Sequence, residues 1–225
     1  MSGGPDEQVE TERKYEAGPD FTVPGLTGVA GIASVAEPRT YQLAAVYFDT
    51  ARLRLASANV TLRRRTGGTD AGWHLKLPAG EESRREVHAP LGRAGTVPAR
   101  LAGLVSPWTG GEPLRPIARI ETTRTVRGLL DDGARLLAEV ADDLVTGSLP
   151  GQDGDGWRPV ISWREVEVEL AAGSRDLLDA VGGRLREAGA TPSSSPNKLS
   201  VVLTSAGTLP GQAGGPGPGG PGENG

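Results

Sequence analysis

In the segment SWREVEVEL, residues 162–170, Glu165, Glu167 and Glu169 alternate with Val166, Val168 and Leu170. Alternation with period two belongs to an extended strand, whose successive side chains point to opposite faces. One face of this strand is therefore apolar, and the other carries three carboxylates in a row. Stacked like charges repel unless a cation lies among them. The valine face is suited to burial, and the glutamate face to solvent or to a cation held among its carboxylates.

The same arrangement recurs along the chain, sorted by strand. VETERKY (9–15) places Glu10, Glu12 and Lys14 on one face, and TLRRRT (61–66) places Arg63 and Arg65. In WHLKLP (73–78), His74 and Lys76 face one way and Trp73, Leu75 and Leu77 the other. In SRREVHA (83–89), Arg84, Glu86 and His88 share a side. Further strands are expected over 41–49, 118–131 and 134–145, separated by Gly- and Pro-containing loops. A helix is expected from Ser174, as N-cap, to Ala188, with Leu177, Leu178, Val181 and Leu185 as its apolar stripe. A second is expected over 98–105, with short helical turns over 27–33 and after Asp49, whose side chain could cap the turn that follows. The fold class is α+β with an antiparallel sheet.

A sheet with one solvated face alternates in the same way, so no single strand decides the matter. Taken together, carboxylates lie on strands at both ends of the domain and guanidinium groups lie between. Closing the strands into a barrel with charged faces inward and helices outside would bring both sets to one cavity. Carboxylates without an interleaved base suit a divalent ion, and all-oxygen ligation favours Mg²⁺, Mn²⁺ or Ca²⁺ over zinc. Arg63, Arg65, Arg84 and Arg124 with Lys14 and Lys76 form donors suited to phosphate oxygens. The two sets in one cavity make a site for a metal–polyphosphate complex.

Composition narrows the alternatives. There is no cysteine, which excludes disulfides, thiolate metal sites and cysteine nucleophiles. Histidine occurs only at 74 and 88: His88 is read as a strand-end surface residue, and His74 either reaches the cavity or serves the structure. Net charge is −4, with no nucleic-acid signature. No apolar run is long enough to cross a membrane as a helix, and no secretory leader is expected, which makes a cytoplasmic location the expectation. Arg greatly outnumbers Lys, so Lys14, Lys76 and Lys198, the three lysines, are candidates for positions where an ammonium is needed, the alternative being chance survival. That bias also suits a bacterial source. Residues 1–7 and the Gly/Pro-rich 205–225 are expected to be disordered, with one domain over 8–204.

The E-x-E-x-K pattern of Glu10-Thr11-Glu12-Arg13-Lys14 resembles the opening motif of the CYTH domain, the triphosphate tunnel metalloenzymes. YFDT (47–50) with TLRRRT, GWHLKLP with SRREV, LAEVADD (137–143), EVEVEL (165–170) and PNKL (196–199) resemble later blocks of that family in order and spacing. The resemblance covers about residues 9–203. It implies an eight-stranded antiparallel closed β-barrel, a triphosphate tunnel, with helices packed outside. Glu10, Glu12, Glu139, Glu167 and Glu169 are the implied metal ligands, with Asp142 a further acidic candidate; Glu165 matches less well. Lys14, Arg63, Arg65, Lys76, Arg84, Arg124 and Lys198 are the implied phosphate contacts, and Glu86 orients one of these cations. Glu10, Glu12 and Lys14 are the implied catalytic set. Thr122 stands where many members are basic, and His88 where they are often acidic. Bacterial relatives often carry a helical CHAD domain downstream; the Gly/Pro tail fits a stand-alone protein or a chain that stops within a linker.

The activity implied is hydrolysis, dependent on Mg²⁺ or Mn²⁺, of inorganic tripolyphosphate or a small organic triphosphate such as thiamine triphosphate or a nucleoside triphosphate. The alternatives are a non-catalytic polyphosphate- or triphosphate-binding module and an adenylate cyclase. Neither a nucleic acid nor a membrane is expected as partner.

Overall fold

The computed structural model describes residues 7–79, 83–151 and 156–208; the side chains of 7–10 and of Ser83 and Arg84 lie outside the described set. The expected tails, 1–7 and 205–225, fall mostly outside it as well. The strands are β1 (Glu7–Ala17), β2 (Ser34–Val35), β3 (Arg39–Asp49), β4 (Thr61–Thr66), β5 (Gly72–Pro78), β6 (Ser83–Ala89), β7 (Arg115–Leu130), β8 (Leu136–Pro150), β9 (Trp157–Leu170) and β10 (Thr191–Pro192). The helices are α1 (Arg54–Ser57), α2 (Ala99–Thr109), α3 (Arg175–Glu187) and α4 (Lys198–Ser205). Among the described residues no helix is long and apolar enough to cross a membrane.

All pairings are antiparallel, in the order β10-β1-β6-β5-β4-β3-β7-β8-β9, with β2 on β7 and a further pairing of β1 with β9. The eight-stranded closed barrel expected from the sequence is corrected here: the sheet has ten strands and is not closed by continuous pairing. Strand β1 pairs β6 only through Glu7–Thr11 and β9 only through Glu12–Ala17. The physical reason lies in β6, which begins at Ser83 opposite Thr11 and cannot accompany the second half of β1. There, β9 and the two-residue β10 supply the partners.

Three apolar clusters hold the layers. Helix α3 lays Leu177, Leu178, Val181 and Leu185 on Tyr15, Val140, Val166 and Val168, the outward residues of β1, β8 and β9. Leu101 and Val105 of α2 cover Phe48, Leu62, Trp73, Leu75 and Val87 of β3 to β6. Ser174 precedes α3 as expected, yet its side chain makes no capping hydrogen bond; α2 runs four residues beyond its expected end, and residues 27–33 form turns without a helix.

Helix α4 departs from the expectation that helices pack outside. Its Leu199, Val202 and Leu203 meet Ala45, Tyr47, Ile120, Val145, Ile161 and Trp163, which share strand parity with the charged face. The helix therefore lies on the concave side of the sheet. Gly147 makes room for it, since a Cβ there would sit 2.3 Å from Val202 Cγ2.

Asp49 behaves as its sequence position suggests. Fully buried at the end of β3, it accepts hydrogen bonds from the backbone N–H of Thr50 (2.6 Å), Leu55 (2.9 Å) and Ala56 (2.9 Å), fixing the turn into α1. Burial raises its carboxyl above the ordinary value, and those three donors partly offset the rise. Asp49→Ala leaves buried donors unpaired and is expected to lower stability by roughly 1–3 kcal/mol, measured as a lower urea midpoint, with Asn recovering part of the loss.

Candidate active site

The concave face of the sheet encloses a cavity of about 440 Å³ lined from β1 and β3 to β9 and from the start of α4. Of the sequence-predicted residues, Glu12, Lys14, Arg63, Arg65, Lys76, Glu86, Arg124, Glu139, Glu167, Glu169 and Lys198 all reach it. Glu10 and Arg84 stand opposite one another in the β1–β6 register, and their side chains lie outside the described residues. Parity explains the convergence: β3 to β6 turn their polar faces inward because α2 covers their apolar faces, and β1, β8 and β9 do so because α3 covers theirs.

Register then sorts the acids into two groups. Glu12 of β1 and Glu139 of β8 both stand directly opposite Glu169 of β9, so three carboxylates lie abreast on adjacent strands. Lys14 Nζ is 2.8 Å from a Glu12 oxygen. Among the described residues Glu139 and Glu169 make no ion pair. Burial raises the Glu169 carboxyl above its ordinary value; Lys76 opposes this, and Glu12 and Glu167 add to it. Burial also pushes Glu12 up, but Lys14 and Lys76 outweigh it and hold that carboxyl below the ordinary value.

The second group is already neutralised from within the chain. Lys198, at the start of α4, places Nζ 2.9 Å from both Asp143 Oδ2 and Glu167 Oε1 and also pairs with Glu165. Arg124 donates from Nε and Nη2 to the two oxygens of Asp143 (2.8 and 2.7 Å) and pairs with Glu167. Trp163 Nε1 donates to Glu165 Oε2 at 2.7 Å. Asp143, Glu165 and Glu167 bring donor oxygens within 4.8 Å of one another, as a metal site would, but the ammonium of Lys198 lies among them. Glu167, expected beside Glu169 as a metal ligand, is instead bound by Lys198 and Arg124, with Lys14 at 3.8 Å. Burial disfavours both charges, yet mutual attraction wins: Glu167 is held well below its ordinary value and Lys198 well above its own. Glu165 is raised by burial despite Lys198.

Asn197 fixes the helix that delivers this lysine. Its Oδ1 accepts from Ser200 N at 3.0 Å as an N-cap, and its Nδ2 donates to Asn59 Oδ1 at 3.2 Å. A lysine in the first turn opposes the helix dipole, and the three carboxylates around it overcome that cost.

Asp142 is corrected. It turns away from the cavity and forms a bidentate pair with Arg164, both bonds 2.9 Å. Asp143 is the inward residue, and the sequence signal was present: 143 shares parity with Glu139, whereas 142 does not.

The cations lie opposite, on β4 and β5. Arg63 donates to Tyr47 Oη at 3.4 Å, and its buried Nε has no hydrogen-bond partner. Arg65 pairs with Asp70, and its buried Nε is likewise unpartnered. Burial, with Arg63 and Arg124 nearby, pushes Arg65 down to about 9, so it stays charged at neutral pH. Lys76 Nζ is 3.4 Å from Glu86 Oε2, which fits the orienting role expected of Glu86. His88, next to last in β6 and partly exposed as expected of a strand-end residue, also lines the cavity, its Nε2 3.3 Å from Glu86 Oε1. His74 is buried behind it, with Nδ1 2.7 Å from the same oxygen and Nε2 3.0 Å from the Asp70 carbonyl. Burial lowers His74 to about 4, with Arg63 and Arg65 adding to the fall and Glu86 opposing it.

The sequence profile of the CYTH domain matches residues 8–200. Uncharacterised proteins of two Mycobacterium tuberculosis strains, CDC 1551 / Oshkosh and H37Rv, are 43% identical over 218 residues, covering 92% of this chain and 42% of theirs. The chain thus spans less than half the length of these curated relatives. A Bacillus halodurans protein provisionally described as an adenylate cyclase is 16% identical with a TM-score of 0.53, over 87% of this chain and 97% of that one. That likeness shows a shared fold.

Proposed function

From the premise that this chain belongs to the CYTH domain family, we propose that its cavity binds a triphosphate together with a divalent metal ion and hydrolyses it. The observation that carries this reading is the row Glu12–Glu169–Glu139 facing a wall of Arg63, Arg65 and Lys76 within one cavity. Two of the three carboxylates have no ion-pair partner among the described residues. An all-oxygen donor set of this kind fits Mg²⁺ or Mn²⁺. The ion would supply neutralisation of phosphoryl charge and a polarised water.

The chain's own residues supply the rest. Glu12, Glu139 and Glu169 hold the ion, and Glu10 joins them on the sequence motif. Arg63 and Arg65 carry unpartnered buried Nε atoms, which suits donors awaiting phosphate oxygens. Lys14, Lys76 and Arg124 add positive charge, and Arg84 joins them on the sequence motif. Lys198 and Glu167 fix the position of Arg124 and Lys14. Fixed charges in a partly enclosed site can stabilise the transition state without a protein nucleophile.

The test is phosphate release from tripolyphosphate by the purified chain with Mg²⁺, with Mn²⁺ and with EDTA. Release that requires metal supports hydrolysis. Metal-dependent tripolyphosphate binding without release would replace hydrolysis by a binding function, and cyclic AMP formed from ATP would replace it by cyclisation.

A further inference from the structure

Arg65, buried in the cavity wall on β4, is paired with Asp70 of the loop between β4 and β5. Arg63, two residues earlier on the same face, makes no ion pair among the described residues. The Arg65–Asp70 pair differs in form from two other arginine–aspartate pairs of this chain. Arg124 and Arg164 each donate from both Nε and Nη2 to the two carboxylate oxygens of Asp143 and of Asp142. Asp70 meets only Nη2 of Arg65, and Nε, on the same edge of the guanidinium, is buried without a hydrogen-bond partner. An edge that can hold two oxygens at once is thus half filled.

The loop fixes the backbone of Asp70 without fixing its carboxylate. Gly67 and Gly68 have φ of 80° and 72°, and a Cβ on Gly67 would sit 2.0 Å from the Gln42 carbonyl oxygen, so the chain turns tightly against β3. At the other end the Asp70 carbonyl lies 3.0 Å from Nε2 of the buried His74. The Asp70 side chain is 46% exposed, against 9% for that of Arg65. Rotation of one side chain therefore carries the carboxylate between Arg65 and solvent, while Gly68, Thr69 and Asp70 keep their places in the cavity lining.

Burial and the nearby Arg63 and Arg124 oppose the charge of Arg65, and Asp70 offsets part of that cost in the empty cavity. A phosphoryl group that takes both Nε and Nη2 brings a second anion to an edge where Asp70 already sits. The two cannot share it.

We propose that Asp70 is an internal competitor for the phosphate-binding edge of Arg65, displaced to solvent by a phosphoryl group and returning as that group leaves. The proposal rests on the triphosphate reading of the cavity and adds a residue that sets its affinity. An edge left open about one time in ten lowers every affinity that depends on it by about 10-fold. A triphosphate, with many other contacts, stays bound under that handicap. Orthophosphate, with few, is discharged.

The experiment is calorimetric titration of the full chain with tripolyphosphate in EDTA, with orthophosphate as a competing ligand. Asp70→Asn is expected to tighten both ligands by about 10-fold. Arg65→Gln is expected to weaken tripolyphosphate, and adding Asp70→Asn to it should change affinity by less than about twofold. Simple removal of a negative charge near the cavity would still tighten binding in that background; competition for Arg65 would not. The half-exposed Asp70 makes its Asn variant the safer protein, and it decides the matter even if Arg65→Gln fails to fold. Unchanged or weaker binding of either ligand by Asp70→Asn, or equal tightening without Arg65, overturns the proposal. Failure of every variant to bind tripolyphosphate overturns it together with the triphosphate reading, whereas binding without metal-dependent phosphate release removes the hydrolytic reading alone.

Discussion

Glu169→Gln is expected to lower metal-dependent phosphate release by about 10²–10³-fold, the range seen when one preorganised charge-stabilising group is removed, while raising thermal stability. The two effects share one cause. Glu169 stands opposite Glu12 and Glu139, and burial with Glu12 and Glu167 raises its carboxyl above the ordinary value. A raised carboxyl binds its proton more tightly in the folded state. Its contribution to stability is therefore fully present below the unfolded value and is lost as pH rises through the folded value. The uncharged glutamine removes that loss, so the melting-temperature advantage of the variant should grow as pH rises from acid toward neutral. A variant that keeps full turnover, or melts below the wild type at neutral pH, would remove Glu169 from the metal row.

Lys198→Met is expected to be the most destabilising single substitution at the cavity, by roughly 3–5 kcal/mol, the usual cost of removing one member of a buried ion pair. Asp143, Glu165 and Glu167 would lose the ammonium they share, with Asp143 wholly buried and Glu165 nearly so. The pH dependence has the opposite sign to that at Glu169. Glu167 is held well below its ordinary value by Lys198 and Arg124 against the effect of burial. Its contribution is present above the unfolded value and is lost as pH falls through the folded one. Urea unfolding should accordingly show the deficit of Lys198→Met at neutral pH shrinking under acid, and adding Glu165→Gln should recover part of it. An unchanged urea midpoint would show that the cluster contributes no net stability.

The separation of Asp142 from Asp143 shows how far local pattern reaches. Side-chain parity is a property of two adjacent residues, so the inward set on each strand could be read along the chain, and Asp143 was available by counting from Glu139. The strand spans followed for the same reason, as did the burial of Val166 and Val168 beneath α3. The marks on Lys14, Lys76 and Lys198 also proved informative: all three reach the cavity.

Helix α4 was not legible. KLSVVLTS is short, contains two adjacent valines, and opposes its apolar Leu199, Val202 and Leu203 with only small hydroxyl residues, Ser200, Thr204 and Ser205, so no charged face announces it. Its formation depends on Asn197 as cap and on the space left by Gly147, 50 positions before Asn197 in the chain. The position of His88 was equally hidden, because only the β5–β6 register places it against His74 and Glu86.

The sequence by itself determined which residues of each strand face one another across the sheet's interior and that acids and bases must meet there, because strand periodicity and charge repulsion act locally. Only the tertiary structure decided which acid meets which base. Lys198 and Arg124 neutralise Glu167, Glu165 and Asp143, whereas Glu12, Glu139 and Glu169 are left abreast. That division depends on strand register and on a helix folded back onto the concave face, and coulombic pairing falls off too steeply with distance for parity alone to assign partners.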